Sequence, residues 1–260
     1  RSHRAALEVT WCQPSHSPCR QGDERRSATD QARGDEVRHD DDQEQERQGR
    51  GREVQGRQDT EGRPHPLRLL HLLAGPNVAG KTTLYERSIR PETGLPFVNA
   101  DEIARAIAGG GPITRDISVE AAALAARRRD EFIANGTSFV AETVFSHPSK
   151  VELVRDAKAA GYDIRLHVVV IPVELSVLRV QARVESGGHD VPEDKIRQRH
   201  ERLWAHVAEA VTVADETILY DNSKAASPLR EVARFVDGRL VTEAPAWPTW
   251  VPPELVPPER

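Results

Sequence analysis

The stretch Gly75-Pro-Asn-Val-Ala-Gly-Lys-Thr-Thr83 matches the phosphate-binding pattern G-x-x-x-x-G-K-[ST]. The apolar run Leu69–Leu73 precedes it, and a segment with helical character begins at Thr82. In such a strand–loop–helix unit, the backbone N–H groups of the loop surround the phosphates, and the positive N-terminal end of the helix points at them. The motif therefore predicts a site for a nucleoside triphosphate.

Two side chains of this loop have specific expected roles. Lys81 is expected to reach the β- and γ-phosphates, and the Thr82 hydroxyl is expected to bind Mg²⁺. Val78 is β-branched in a loop that often needs open backbone angles, so its φ must be negative or the loop is strained. The predicted nucleotide-binding residues are Gly75, Pro76, Asn77, Val78, Ala79, Gly80, Lys81, Thr82 and Thr83.

Composition divides the chain into three parts. Residues 1–64 have few large apolar side chains and many charged ones, including the run Asp40–Glu46, so they cannot bury enough surface to offset the entropy of ordering. We predict a disordered polar arm there; it could serve as an interaction arm, but its mixed charge signs disfavour nucleic acid as the partner. A folded domain is predicted over residues 67–240, and residues 244–260 form a proline-rich tail that should be extended.

Several classes of protein are disfavoured. The two cysteines, Cys12 and Cys19, lie in the polar arm without partners at zinc-ligand spacing. No run approaches the roughly 18 consecutive apolar residues of a membrane span, and no signal-peptide pattern is present. The net charge of −5 gives no broad attraction for nucleic acid or anionic membranes. We expect a soluble cytoplasmic protein.

From residue 67 onward, short apolar runs alternate with helical periodicity, as is typical of a parallel sheet with crossover helices. The predicted class is α/β: a P-loop NTPase-type parallel sheet of about five strands, with helices on both faces and a helical lid. Strands are predicted at residues 68–73, 96–99, 138–141, 164–171 and 217–220. Helices are predicted at residues 82–90, 101–108, 119–134, 149–160, 174–186, 193–211 and 228–236.

Acidic residues follow three of the predicted strands: Asp101, Glu142 and Asp221. Ligands bind at the C-terminal ends of parallel strands, where an acid can accept a proton from an attacking hydroxyl or hold Mg²⁺ through water. For Asp101 the main alternative to a functional role is that it caps the N-terminus of the next helix. For Glu142 capping is less natural, so a functional role is favoured more strongly. Asn222 and Ser223 are equally compatible with an ordinary turn.

Arginines are concentrated on the two predicted helices that flank the glycine-containing segment Ser186–Asp190. Together they suggest a lid that brings guanidinium groups onto the transferring phosphate and excludes water. The alternative is that they are solvated or paired with acids one turn away. We predict that one or two of them act, with Arg183 and Arg197 ranked first. The five arginines are Arg179, Arg183, Arg197, Arg199 and Arg202.

Four segments stand in a characteristic order: Leu73–Thr83, Phe97–Ala104, Glu142–Lys150 and Gly187–Pro192. Through them the chain resembles the zeta toxin family of P-loop kinases over roughly residues 67–237. The resemblance implies a kinase domain that uses ATP and Mg²⁺ to phosphorylate a sugar hydroxyl of UDP-N-acetylglucosamine. It further implies toxicity through blocked cell-wall synthesis and, in operon-encoded members, neutralisation by a small antitoxin.

The resemblance also implies roles for individual residues. Asp101 corresponds to the catalytic base and Glu142 to an acid of the acceptor site, while Arg183 and Arg197 correspond to the lid arginines. By the same correspondence, Lys81 and Thr82 are the phosphate and magnesium residues.

The chain departs from the family pattern after the third strand. The family has a threonine two places beyond the acid, whereas here Thr143 follows Glu142 directly and Val144 takes the second place. We include Thr143 with Glu142 as a predicted acceptor contact. The identity of the acceptor therefore stays open. One alternative is a kinase of the same fold that acts on another nucleotide or metabolite. The other is a nucleotide-binding or antitoxin-binding module without catalytic activity.

The assignment of the polar arm is testable by truncation. Deleting residues 1–64 should leave the melting temperature nearly unchanged, because a disordered arm contributes few buried contacts. Calorimetry of the full-length and truncated chains would check this, and a large drop would contradict the assignment.

Overall fold

The apolar runs of the chain form the strands of one seven-stranded sheet, in the order β2-β3-β1-β4-β5-β6-β7. The structure, a computed structural model, describes residues 67–186 and 191–257, so the predicted polar arm and the glycines Gly187 and Gly188 between the two predicted lid helices lie outside the described residues. The strands are β1 (Arg68–Ala74), β2 (Phe97–Val98), β3 (Phe139–Thr143), β4 (Tyr162–Val170), β5 (Glu216–Asp221), β6 (Arg230–Val236) and β7 (Arg239–Leu240).

The first five strands are parallel, and β1 lies between β3 and β4. Leu72 of β1, for example, pairs with Ala141 on one side and Leu166 on the other. Since parallel strands end at the same edge of a sheet, the loops after β1, β2, β3 and β5 meet there. The phosphate loop therefore lies at the middle of that edge.

Helices cover both faces of the sheet, and the predicted α/β class is confirmed. One face packs against helices α4, α5 and α7, and the other packs against the helical segment that follows the phosphate loop. No helix within the described residues combines the length and apolar character needed to cross a membrane. The helices are α1 (Lys81–Leu84), a π-helical turn (Tyr85–Ile89), α2 (Arg90–Thr93), α3 (Ala100–Ala108), α4 (Arg115–Asn135), α5 (Ser149–Ala159), α6 (Val173–Glu185) and α7 (Glu193–Val211).

The helix predicted at residues 228–236 is wrong, because that segment forms strand β6. It pairs antiparallel with β5 and then turns into β7 through Asp237 and Gly238, whose φ angles are +48° and +72°. Two consecutive positive φ angles are what a two-residue hairpin loop requires, and Asp-Gly is a strong sequence signal for it. The five predicted parallel strands thus gain two antiparallel ones.

The proline-rich tail carries two tryptophans that could either pack onto the domain or form an exposed patch. Trp247 and Trp250 are half-buried and contact the larger core, which also contains Leu255 from the short 3₁₀ turn Pro253–Leu255. The tail thus packs against the sheet domain.

A buried histidine pair crosses the centre of the sheet. His71 Nδ1 of β1 lies 2.9 Å from His167 Nε2 of β4, and His167 Nδ1 lies 3.3 Å from the Tyr220 hydroxyl of β5. Burial, reinforced by the charge of nearby Arg165, lowers the pKa of His71 to about 4. Burial, together with His71, lowers the pKa of His167 to about 3. Both rings are therefore neutral in the folded protein at neutral pH.

This pair should make the fold sensitive to acid. The folded-state pKa values lie below the unfolded value of 6.5, so below pH 6.5 the unfolded chain binds more protons than the folded one. Each histidine should then cost up to about 1.4 kcal/mol of unfolding free energy per pH unit between the two pKa values. Stability is full above pH 6.5 and declines as the pH falls.

Urea unfolding between pH 7.5 and 5 would measure this decline. The double variant His71→Leu/His167→Leu should have a shallower pH dependence than the wild type. Equal slopes in the double variant and the wild type would contradict the assignment.

Candidate functional site

The phosphate loop requires glycine at both ends. Gly75 has a φ of +144°, and a Cβ atom there would lie 2.4 Å from the carbonyl oxygen of Val169 on β4. Gly80 has a φ of +99°, and a Cβ atom there would lie 2.4 Å from Asn222 Nδ2 at the end of β5. The two glycines of the motif thus allow the loop to pack closely against the neighbouring strand ends.

Val78, in the middle of the loop, has a positive φ, so the loop is strained at this residue. Its φ is +52°, in the left-handed region that β-branched residues rarely occupy. Its side chain packs against an apolar cluster between α6 and α7 that contains Val177, Val180 and Ile196. Such strain persists only where the surrounding structure enforces it.

Lys81 is buried beneath the loop, with 4% of its surface exposed. Its Nζ atom donates hydrogen bonds to the carbonyl oxygens of Gly75 (3.2 Å) and Pro76 (2.9 Å). Glu142 Oε1 lies 3.6 Å from the same ammonium group. A cation is therefore held at the loop with a carboxylate as its counter-charge.

Glu142 connects three elements at this edge of the sheet. Its Oε2 atom accepts hydrogen bonds from the Thr82 hydroxyl (2.8 Å) and from Asn99 Nδ2 (3.0 Å). Its side chain is 12% exposed. The ends of β2 and β3 and the start of α1 therefore meet at one carboxylate.

Asp101 lies in the first turn of α3, next to this cluster. The N-cap of α3 is Asn99, whose Oδ1 accepts from the Asp101 backbone N–H at 2.8 Å. The alternative interpretation of Asp101 as the helix cap is therefore wrong. The Asp101 side chain is exposed, and it makes no hydrogen bond or ion pair with any other described residue.

A further acid, Glu102, lies beside this cluster. Burial raises the pKa of Glu102; Arg105 opposes the shift, and the charge of Glu142 adds to it. This edge of the sheet therefore combines the Lys81 cation with several carboxylates, the pattern expected where phosphates and a divalent cation meet.

The other predicted acids and acceptor contacts are arranged differently. Thr143 extends to the opposite face of β3 from Glu142, and its hydroxyl accepts from the Phe145 N–H at 3.2 Å. Asp221 is buried, accepts from the Ser223 N–H at 2.8 Å and pairs with Arg230 at 3.3 Å. The Asp221 carboxylate is thus used within the turn after β5.

Asn222 contacts the phosphate loop directly. Its Nδ2 donates to the Ala79 carbonyl at 2.7 Å, and its Oδ1 accepts from the Leu229 N–H at 3.2 Å. The sequence left Asn222 open as an ordinary turn residue and gave no part in the site to Asn99. The position of Asn99 directly before a helix start was the available signal for its capping role.

The arginines ranked first from sequence lie in different surroundings. Arg183 of α6 is half-buried, whereas Arg197 of α7 is exposed and pairs with Glu193 (2.9 Å) and Glu174 (3.4 Å). The arginine that contacts the loop is Arg179, one turn before Arg183. It donates from Nη1 to the Val78 carbonyl (3.3 Å) and from Nη2 to the Asn222 carbonyl (2.9 Å), and burial lowers its pKa.

The donor set fits magnesium bound together with phosphates. Thr82 and Glu142 present adjacent oxygen atoms, the ligand type that Mg²⁺ prefers, and Mg²⁺ in such sites is completed by phosphate oxygens and water. No group of three or more His, Cys, Asp or Glu side chains within residues 67–186 and 191–257 could hold a metal ion alone. The arrangement therefore suits a metal that arrives with a nucleotide.

Comparison with known sequences gives two matches. The sequence model of a family described as zeta toxin matches residues 52–230. An uncharacterised protein of Haemophilus influenzae is 31% identical over 127 residues, which cover 48% of this chain and 88% of that protein.

Among solved structures, a complex of AvrRxo1-ORF1 and -ORF2 with ATP contains a chain of similar fold, with a TM-score of 0.55 at 19% identity. The match covers 68% of this chain and 61% of that chain, so this chain spans less than two thirds of its length. A structure of the PezAT toxin–antitoxin system of Streptococcus pneumoniae matches with a TM-score of 0.43 at 15% identity, covering 68% of this chain and 75% of that one.

The tight packing at Gly80 can be tested against a matched glycine. Gly94 also has a positive φ, of +60°, but a Cβ atom there would meet nothing within 4 Å. Gly80→Ala should reduce the free energy of unfolding by about 1–2 kcal/mol more than Gly94→Ala, because the new methyl must displace Asn222 from its two hydrogen bonds. Urea denaturation of both variants measures the difference, and equal losses would contradict the close contact.

Proposed function

The chain belongs to the zeta toxin family, and on that premise we propose that it is an ATP- and Mg²⁺-dependent kinase of a small-molecule hydroxyl. UDP-N-acetylglucosamine is the leading acceptor. The observation that carries the proposal is the cluster around Glu142, which joins Lys81 and Thr82 of the phosphate loop to Asn99 at the start of α3. Asp101 follows in the first turn of that helix.

The nucleotide-binding part of the proposal rests on the loop. Lys81 would exchange its carbonyl and Glu142 partners for the β- and γ-phosphate oxygens of ATP, whose negative charge it neutralises. Backbone N–H groups of the loop and of the start of α1 would hold the remaining phosphate oxygens. Thr82, beside Glu142, would hold Mg²⁺, which when bound draws charge from the phosphate oxygens.

The chemical step needs a base for the acceptor hydroxyl. We assign this role to Asp101, whose carboxylate is accessible to a solute and close in sequence to Asn99, a direct partner of Glu142. As the hydroxyl oxygen forms its bond to the γ-phosphorus, the proton passes to Asp101, and the bond between that phosphorus and the bridging oxygen of ADP breaks. The leaving ADP carries away the electron pair of that bond.

The acceptor is held by the neighbouring groups in this proposal. Glu142, which is only slightly exposed, and Thr143, on the other face of the strand end, are the assigned acceptor contacts. Arg183 is the leading candidate to stabilise charge on the transferring group. Arg197 would first have to leave its exposed pairs with Glu193 and Glu174, which cost little to break.

The proposed partner besides the substrates is an antitoxin protein. Family membership supports it, and the AvrRxo1-ORF1 structure of similar fold is a complex with AvrRxo1-ORF2. We place the kinase domain at residues 67–240, between the polar arm and the tail, and propose a cytoplasmic location. A kinase of another nucleotide or metabolite would use the same Lys81 and Asp101, and a non-catalytic module would bind ATP without needing Asp101.

Phosphate transfer from labelled ATP to UDP-N-acetylglucosamine tests the proposal, with the product identified by mass spectrometry. Lys81→Ala should reduce both ATP binding and turnover. Asp101→Asn should spare binding and reduce turnover by about 10² or more, the usual scale for a positioned general base. Asp116→Asn, an exposed acid in the first turn of α4, is the matched control and should behave as the wild type.

The outcomes separate the alternatives. Wild-type turnover in Asp101→Asn would contradict the assignment of the base. ATP binding without a phosphorylated product would leave the loop assignment standing and exclude this acceptor, which shifts the search to other metabolites or to a non-catalytic role.

A further inference from the structure

The carbonyl oxygens of the phosphate loop are held by four side chains, three of which lie outside the loop. Each carbonyl from residue 75 to residue 79 accepts a hydrogen bond from a side chain. The donors are Lys81 for Gly75 and Pro76, Ser176 for Asn77 (3.5 Å), Arg179 for Val78 (3.3 Å) and Asn222 for Ala79 (2.7 Å). Within the loop, the Ala79 N–H also donates to the Pro76 carbonyl, at 3.3 Å.

This arrangement matters for binding an anion. Carbonyl oxygens are the negative ends of peptide dipoles and would repel phosphate, whereas the N–H groups attract it. Side chains that hydrogen-bond to the carbonyls therefore fix the conformation of the loop before an anion binds, and in this sense they preset the loop. Two of the donors, Ser176 and Arg179, lie on α6, so that helix holds the middle of the loop.

Arg179 makes the more extensive contact of the two. Its guanidinium spans the Val78 carbonyl (3.3 Å) and the Asn222 carbonyl (2.9 Å). Asn222 is in turn fixed to the sheet, because its N–H donates to the Val170 carbonyl at 3.2 Å. The guanidinium reaches the two carbonyls with separate nitrogens of one planar group, whereas a lysine ammonium would have to reach both from a single nitrogen.

Val78 is the residue on which these contacts act. Its left-handed backbone, with a φ of +52°, is unfavourable for a β-branched residue. Arg179 holds its carbonyl oxygen, and Val177 and Val180 on the same helix belong to the cluster that receives its side chain. Helix α6 therefore enforces both the backbone turn and the side-chain position.

We propose that Arg179 is a positioning residue that fixes the left-handed turn at Val78 and so presets the phosphate loop before nucleotide binds. It acts through the loop backbone and does not contact the transferred phosphate. The inference deepens the kinase function proposed above and rests on it for the identity of the bound phosphate.

Amide hydrogen exchange of the full-length chain without nucleotide tests the positioning role. Arg179→Ala and Arg179→Lys should both speed exchange of the protected amides of Ala79 and Leu84 by about tenfold or more, since the span between two carbonyls is lost in each. Gln181→Ala, an exposed change on the same helix, should leave exchange at the wild-type rate. Unchanged exchange in Arg179→Ala, or full protection in Arg179→Lys, would overturn the proposal.

A double-mutant cycle tests the link to Val78. Glycine adopts a left-handed backbone without strain, so Arg179→Ala should accelerate exchange less in a Val78→Gly background than in the wild type. Additive effects of the two changes would show that Arg179 does not act on this turn.

Nucleotide titration separates this proposal from the kinase proposal. Arg179→Ala should weaken Mg-ATP binding by about tenfold while kcat at saturating ATP changes much less, because a preset loop helps the bound and transition states equally. A larger loss in kcat than in affinity would indicate contact with the transferred phosphate and overturn the positioning role. If the wild-type chain does not bind ATP, the kinase proposal fails, and the exchange measurements still decide the role of Arg179.

Discussion

The site depends on one constraint: the chain between β1 and α1 must turn its carbonyl oxygens away from the position of the phosphates. That geometry places Val78 in a left-handed conformation, which costs about 1–3 kcal/mol. The valine side chain is partly buried against the α6–α7 cluster, so its packing contributes less than the roughly 1.5–3 kcal/mol of a fully buried side chain. The packing offsets part of the strain, and the hydrogen bond from Arg179 to the Val78 carbonyl adds a further contribution in favour of the strained loop. Replacing Val78 by glycine would remove the backbone strain, but it would also remove the side-chain packing that anchors the loop to α6 and α7.

The second requirement is a counter-charge for Lys81. An isolated buried ammonium costs several kcal/mol of desolvation, and Glu142 offsets this cost from 3.6 Å. Glu142 is itself stabilised by donors from Thr82 and Asn99, so neither charge is left without partners in the absence of nucleotide. The network therefore holds the Lys81 side chain in place. In the proposed kinase, an incoming phosphate would replace existing partners of the lysine without a large reorganisation of the site.

The sequence predicts the parts of this site that are local and misses those that are distant. The loop, its strand and its helix follow from one motif, and the parallel strands follow from apolar runs. The helix predicted at residues 228–236 is wrong because the segment pairs with β5 as strand β6, and Asp237-Gly238 encodes the hairpin to β7. Asn222 and Arg179 could not be ranked from sequence, since their contacts join residues 143 and 101 positions apart along the chain. The hydrophobic periodicity of a sequence does not indicate which side chains bind backbone carbonyls far away in the chain.

The position of Arg179 also bears on its neighbour Arg183. Residues four apart lie on the same face of a helix, about 6 Å apart along its axis. Because Arg179 is directed at the loop, that face of α6 is oriented towards the phosphate site, and Arg183 lies one turn further along it. Arg197 lies on α7, and its guanidinium faces two exposed acids. The anchoring of α6 therefore favours Arg183 over Arg197 as the arginine that reaches a transferring phosphate, a distinction that helical spacing alone could not make.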